Sequence, residues 1–358
     1  MHILHVVGAR PNFMKAAPVM RALANRAGIR QTLVHTGQHY DANMSDIFFR
    51  QLDLPQPDIN LGVGSGSHTG QTAQIMLGLE EVFTAQQPDW VLVYGDVNST
   101  LAAALVCAKL LIKIAHVEAG LRSGDRTMPE EVNRLLTDRV ADLLLTPSQD
   151  GDENLLHEGV DPEKIHCVGN VMIDTLVRLL PRAHDVTFDD LPDRYALVTL
   201  HRPSNVDDPA MLRQIIETLA AISADIPVLF PVHPRTRQRI ASFGIDLPDG
   251  GRFRLMEPVG YIEFLALQTR ATLIITDSGG IQEESTFLGV PCLTVRENTE
   301  RPVTVTLGTN VLVGQDMDQL RTHVAAVLAG QGRNGQIPPL WDGKAGERIA
   351  AILVPEAE

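Results

Sequence analysis

The chain has 358 residues, a length that suits two domains. Its 44% hydrophobic and 21% charged content is that of a well-cored globular chain, which excludes a disordered or fibrous one. A net charge of −14 makes nucleic acid and anionic membrane poor partners, so an anionic ligand needs a local basic pocket.

Taken in order, residues 3–7 read as a strand, 8–11 as a loop and 13–25 as a helix, with Pro11 suited to a first helical turn. Residues 31–35 form the next strand and 40–51 a helix. A Pro/Gly-bearing loop spans 56–69 before the helix 72–85. Strand 90–94 ends at Gly95-Asp96 and is followed by helix 100–111. Strand 114–117, helix 130–140, strand 143–146, helix 151–158 and strand 165–168 complete the first set. A helix begins within 169–180, and the acidic stretch 183–194 reads as a surface connection. Alternation restarts with strand 196–200, helix 209–223, strand 227–230, helix 235–241, strand 253–256 and helix 262–268. Strand 272–276, helix 281–288 and strand 292–295 follow, then a helix at 317–328 and a last one at 341–353.

Such alternation predicts an α/β protein with two Rossmann-like doubly wound domains and an interdomain cleft. The expected division is 1–169 for an N-terminal domain carrying acid/base carboxylates and 170–340 for a C-terminal nucleotide-binding domain. The segment 341–358 is expected to form a helix that packs back on the first domain. The opening MHILHVVGAR is a strand running into a loop without a basic leader, and no apolar run approaches ~20 residues. A soluble, cytoplasmic protein is therefore expected. Cys107 falls in a helix and Cys167 and Cys292 in strands, all as core residues of a reducing compartment.

The most telling stretch is 272–299, a strand, a break at Asp277-Ser278-Gly279-Gly280, a helix and a second strand. Glycines at a helix start let backbone N–H groups approach a ligand, and the helix N-terminus favours negative charge. This reads as a diphosphate seat, the plainer alternative being a capped tight turn. Glu283 and Glu284 follow in the first turns; a carboxylate there cannot hold phosphate but can accept from a ribose diol.

Other chemistry-bearing residues stand at strand ends. Arg10 and Lys15 follow the first strand, Asp96 follows 90–94, and Glu118, Gly120 and Arg122 follow 114–117. Glu130 and Glu131 open a helix, where a dipole role alone would explain them. His201 and Arg202 follow 196–200, and His233 and Arg235 follow 227–232. The first half thus supplies carboxylates with a few cations, and the second supplies histidines, arginines and the Gly279-Gly280 seat. His116, inside a strand, is expected to be a core histidine. His35 and His39 straddle a strand-to-loop break and are not expected to bind metal. Gly330-Gln-Gly-Arg-Asn-Gly335 fits G-x-G-x-x-G, but it follows a helix and runs into Pro338-Pro339, so it reads as a linker. There is no Walker A pattern and no nicotinamide motif.

The motifs, in order, are GARPNFMK at 8–15, TGQHYD at 36–41, YGDVNST at 94–100 and HVEAGLRSGDRTMPEEVNR at 116–134. They continue with VGNVMID at 168–174, TLHRPSN at 199–205, PVHPRT at 231–236, TDSGGIQEES at 276–285 and ENTERP at 297–302. This run resembles the non-hydrolysing UDP-N-acetylglucosamine 2-epimerase family over nearly the whole chain. The resemblance implies a glycosyltransferase-B-like architecture and a homodimer; no cofactor or metal is expected. It further implies interconversion of UDP-N-acetylglucosamine and UDP-N-acetylmannosamine for cell-surface polysaccharide biosynthesis.

By motif, Ser278, Gly279 and Gly280 would bind the diphosphate with help from Arg10. Glu284 would take the ribose hydroxyls, Phe264 would lie by the uracil, and Arg301 would join the nucleotide site. Lys15, Asp96, Glu118, Glu130 and His201 would surround the sugar and the departing phosphate. The sequence departs from some bacterial relatives in the shorter stretch between Gly120 and Pro129, in Pro203-Ser204-Asn205 after His201-Arg202, and in LGVGSGSHTGQ at 61–71. Relatives acting on UDP-diacetamido-glucuronate share these departures, so another UDP-2-acetamido sugar is an alternative substrate. A UDP-sugar glycosyltransferase and a nucleotide-sugar-binding regulator are the competing classes.

Overall fold

A computed structural model describes residues 1–38, 52, 54–248 and 251–355. The helix expected over 40–51, and His39, lie outside these residues. The chain divides into two compact units, Met1–Thr175 with Pro339–Glu358, and Leu176–Pro338.

The first unit carries a seven-stranded parallel sheet in the order β3-β2-β1-β4-β5-β6-β7. Its strands are β1 His2–Val7, β2 Arg30–His35, β3 Ile59–Asn60, β4 Trp90–Tyr94, β5 Lys113–Val117, β6 Leu143–Thr146 and β7 Ile165–Cys167. The apolar, β-branched runs bury both faces of this sheet, as a parallel sheet covered by helices requires. Its described helices include α1 Arg10–Ala24, α2 His68–Gln86, α3 Asn98–Leu110, α4 Pro129–Val140 and α5 Gln149–His157, and the boundary to the second unit falls within α6 Val171–His184. Leu4, Val6, Val91, Val93, Ile75 and Phe83 lie in the core between sheet and helices.

The second unit carries a six-stranded parallel sheet in the order β10-β9-β8-β11-β12-β13. Its strands are β8 Ala196–Thr199, β9 Val228–Pro231, β10 Phe253–Met256, β11 Leu273–Thr276, β12 Cys292–Thr294 and β13 Asn310–Leu312. The helices are α7 Pro203–Val206, α8 Pro209–Ile222, α9 Pro234–Ser242, α10 Tyr261–Arg270, α11 Gly279–Leu288, α12 Pro302–Thr306 and α13 Met317–Leu328. Val198, Val228, Phe230, Ile275, Ile216 and Leu219 belong to its main core.

Both sheets are doubly wound. The strand order reverses between β1 and β4 in the first and between β8 and β11 in the second. Connections on either side of such a reversal leave the sheet in opposite directions and open a crevice at the strands' carboxyl ends.

Several boundaries differ from the sequence reading. Helix α1 starts at Arg10, because Pro11 fits a first turn whose N–H groups lack intrahelical partners anyway. The stretch 56–69 is not all loop: Ile59 and Asn60 add a short strand beside Val34 and His35, and α2 starts at His68. Gly279 and Gly280 lie within the first turn of α11 rather than ahead of it. The short elements α7, α12 and β13 were not expected. Gly330–Gly335 forms no helix; Arg333 Nε and the Gln336 N–H donate to the carbonyls of Gly308 and Leu307. Cys107 and Cys292 are buried, and Cys167 half-buried.

The last helix, α14 Ala345–Leu353, packs on α1. Asp174 receives the N–H groups of Ala345 and Gly346 at 3.0 and 2.7 Å, which caps the start of α14. Burial raises the Asp174 carboxyl to about 6 despite these hydrogen bonds. Trp341 is 2% exposed, and its indole N–H donates to the Pro147 carbonyl at 2.9 Å. Truncating it removes both the packing and the hydrogen bond. Trp341→Ala is expected to cost about 3–5 kcal/mol, read as a lowered urea midpoint for the first unit.

Candidate active site

In the first unit the groups of interest gather at the carboxyl ends of β1, β4 and β5. Lys15, one turn into α1, is buried, with Nζ 2.6 Å from Glu118 Oε1. Glu118 directly follows β5 and has φ +74°, a left-handed conformation that costs a non-glycine residue about 1–3 kcal/mol. Its N–H and that of Ala119 both donate to the Leu145 carbonyl, which holds the turn. Against this pair packs the backbone of Gly95, at φ +62°. A Cβ there would stand 2.7 Å from Lys15 Nζ, so glycine is required on both counts.

Asp96 comes next, just before the N-terminus of α3, where negative charge is favoured. Its side chain is 21% exposed, and Oδ2 lies 2.5 Å from Arg134 Nη2. Arg134 Nη1 is 2.6 Å from Glu131 Oε2. Glu131 also accepts the N–H groups of Ser123 and Gly124, each at 2.9 Å. Burial pushes its carboxyl up, but those N–H donors and the Arg134 charge outweigh burial and hold it below the usual range. Asn133 Nδ2 donates to the Asp96 carbonyl at 2.8 Å. Glu130 stands half-buried in the same first turn of α4, and half-buried Arg10 opens α1.

His116 is fully buried, between Asp138 Oδ1 at 2.6 Å and the Gly95 carbonyl at 2.8 Å. It braces the Gly95 turn from below. His35 is buried beside the Phe13 ring. Among the described residues, no group of three or more His, Cys, Asp or Glu could hold a metal ion. No described helix is long and apolar enough to cross a membrane.

In the second unit the organising group is Asp277, at the carboxyl end of β11 and fully buried. It accepts the N–H of His201 at 2.9 Å, the N–H of Arg202 at 2.8 Å and Asn205 Nδ2 at 3.0 Å. His201 Nδ1 lies 3.1 Å from Asp277 Oδ1, while the His201 side chain remains 45% exposed. This turns Nε2 away from Asp277. Burial disfavours the charged Asp277, yet His201, the Arg202 N–H and Asn205 together lower its pKa.

Ser278 is the N-cap residue of α11, and its N–H donates to Thr276 Oγ1 at 3.0 Å. A Cβ on Gly279 would meet Arg301 Nη1 at 2.6 Å and Glu300 Oε1 at 2.8 Å. Glycine therefore lets a buried ion network lie directly against the helix start. Arg301 Nη1 is 2.5 Å from Glu300, Arg301 Nε is 2.9 Å from Glu283, and Arg296 Nη2 is 2.8 Å from Glu300. Around a Cβ built on Gly280, by contrast, space is open. Glu284 is buried; Tyr261 OH donates to Oε1 at 2.9 Å and Gln268 Nε2 to Oε2 at 2.6 Å. Each oxygen keeps a lone pair for a further donor. Burial raises the Glu284 pKa against those two hydrogen bonds. Phe264, on α10 with Tyr261 and Gln268, is half-buried against the cluster containing Tyr195, Leu197 and Leu229.

The sequence placed Lys15, Asp96, Glu118 and His201 at the strand ends where they stand, but the organising roles of Arg134 and Asp277 were missed. Two signals were available. Arg134 shares a helix face with Glu131, three residues earlier. Asp277 follows β11 much as Asp96 follows β4, with each strand flanking its sheet's reversal.

Residues 21–354 match the family model described as UDP-N-acetylglucosamine 2-epimerase. The chain is 44% identical to a UDP-N-acetylglucosamine 2-epimerase of Methanocaldococcus jannaschii, covering 99% of each protein. It is 43% identical to a UDP-2,3-diacetamido-2,3-dideoxy-D-glucuronate 2-epimerase of Pseudomonas aeruginosa, again over 99% of each. A crystal structure of the Methanocaldococcus jannaschii enzyme in complex with UDP-GlcNAc and UDP matches with a TM-score of 0.91, covering 99% of both chains at 44% identity.

Asp277 contributes stability above the ordinary carboxylate pKa, and loses it as pH falls through its own lowered value. Asp277→Asn is expected to destabilise the second unit by roughly 2–3 kcal/mol at neutral pH. In urea titrations that gap should narrow as pH falls below the ordinary carboxylate range.

Proposed function

Since this chain belongs to the UDP-N-acetylglucosamine 2-epimerase family, we propose that it interconverts UDP-N-acetylglucosamine and UDP-N-acetylmannosamine by elimination and re-addition of UDP. The observation that carries this reading is the placement of Asp96 and Glu118 at the carboxyl ends of β4 and β5, each clamped to a buried cation.

The C2 proton of the sugar is not adjacent to a carbonyl, so its direct removal at neutral pH is not feasible. Breaking the C1–O bond sends the electron pair to the β-phosphate and leaves an oxocarbenium-like centre. A carboxylate then takes the C2 proton, and the C1–C2 double bond of a 2-acetamidoglucal forms. In the reverse sense a phosphate oxygen attacks C1, and a proton delivered to the opposite face of C2 gives the epimer. Two faces need at least two acid/base groups. Asp96, Glu118 and Glu130 fill those roles.

The leaving diphosphate needs N–H donors and positive charge. The first turn of α11 at Ser278, Gly279 and Gly280 supplies donors together with the His201 ring, and Arg10, Arg301 and Lys15 supply charge. Glu284 takes the ribose diol through its remaining lone pairs, and Phe264 lies by the uracil. We assign the active protein to the cytoplasm as a homodimer, serving cell-surface polysaccharide biosynthesis.

The nearly equal identity to the Pseudomonas aeruginosa relative carries a second reading of the substrate, UDP-2,3-diacetamido-2,3-dideoxy-D-glucuronate. Incubation of each UDP-sugar in deuterated water separates the two. The expected outcome is solvent deuterium at C2 of UDP-N-acetylglucosamine together with a manno product. Exchange confined to the glucuronate would select the second substrate, and transfer only on adding an acceptor would indicate a glycosyltransferase. Asp96→Asn is expected to lower exchange at least about 100-fold while UDP still binds; full exchange in that variant removes Asp96 from the mechanism.

A further inference from the structure

We propose that Arg134 is a positioning residue for the reaction: its two-pronged guanidinium sets the orientation of the Asp96 carboxylate. This rests on the elimination reading above.

Arg134 Nη1 lies 2.6 Å from Glu131, and Glu131 is itself fixed by the N–H groups of Ser123 and Gly124. That prong is anchored. Nη2 lies 2.5 Å from Asp96 Oδ2. A guanidinium is planar and its N–H directions are fixed, so anchoring one prong dictates where the other points. Exposure follows the same order: the Arg134 and Glu131 side chains are each 3% exposed and Asp96 is 21%. The holder is buried and the held group reaches solvent.

Neighbouring Asn133 adds a second grip, on the Asp96 backbone carbonyl. One turn of α4 therefore fixes Asp96 at both main chain and side chain. Because Glu131 also ties down Ser123 and Gly124, the loop that leaves Glu118 is joined to the same node. Glu131 is thereby accounted for as the anchor.

A lysine keeps the charge but cannot grip two carboxylates in one plane. A misplacement of about 1 Å at a reacting group can cost about 100-fold in rate. The test measures C2 deuterium exchange, UDP affinity and thermal melting for the full-length protein, Arg134→Lys and Arg134→Met. We expect Arg134→Lys to melt and bind UDP as the unaltered protein does, with KM unchanged and kcat lowered about 100-fold. Arg134→Met should lose at least as much. Unchanged kcat in Arg134→Lys overturns the assignment. So does a raised KM with kcat intact, or a loss of UDP binding or melting temperature in Arg134→Lys that accounts for the lost rate. If the unaltered protein exchanges neither UDP-sugar, the reaction reading falls and takes this assignment with it; exchange that Arg134→Lys leaves untouched removes the assignment alone.

Discussion

The reversal of strand order within each parallel sheet is the constraint on which everything else depends. Between β1 and β4, and again between β8 and β11, successive connections diverge. Such a divergence opens a crevice at the strands' carboxyl ends. In the first unit the crevice admits Lys15 from α1, whose Nζ reaches past β4 to Glu118 at the end of β5, with Gly95 packed against the pair. In the second it admits Asp277 from the end of β11 against the His201-Arg202 turn after β8.

At both places the chain accepts a cost that stability alone would not select. Burying the Lys15–Glu118 pair removes two charges from water, and replacing such a pair with apolar residues is often neutral or stabilising. Glu118 is also held in a left-handed conformation. The Arg301, Glu300, Glu283 and Arg296 network beside Gly279 repeats the theme. Strain and buried charge at the carboxyl ends of parallel strands are common at functional sites of this kind of fold.

Much of this was legible in the amino-acid sequence, and the reason is local. Strands such as β4, β6 and β10 are short apolar runs bounded by breakers, and their limits follow directly. The residues after a strand's last apolar position stand at its carboxyl end, so Asp96, Glu118 and His201 could be placed without coordinates. The elements missed, β3, β13, α7 and α12, span two to five residues, too short for any periodicity to register. Arg134 and Asp277 were missed for another reason: their partners are remote along the chain. Asp96 lies 38 residues from Arg134, and His201 lies 76 from Asp277. Charge and spacing place a residue on an element, but only the packed fold says which carboxylate it meets.

The central claim is that the C1–O bond opens and closes while UDP stays bound. Positional isotope exchange tests it most directly, using UDP-N-acetylglucosamine carrying oxygen-18 in the bridge between C1 and the β-phosphorus. Cleavage of C1–O makes that oxygen one of three equivalent oxygens on a terminal phosphate. The account predicts label in non-bridging positions of recovered substrate and of epimer. Epimer formed with all label still in the bridge would contradict it.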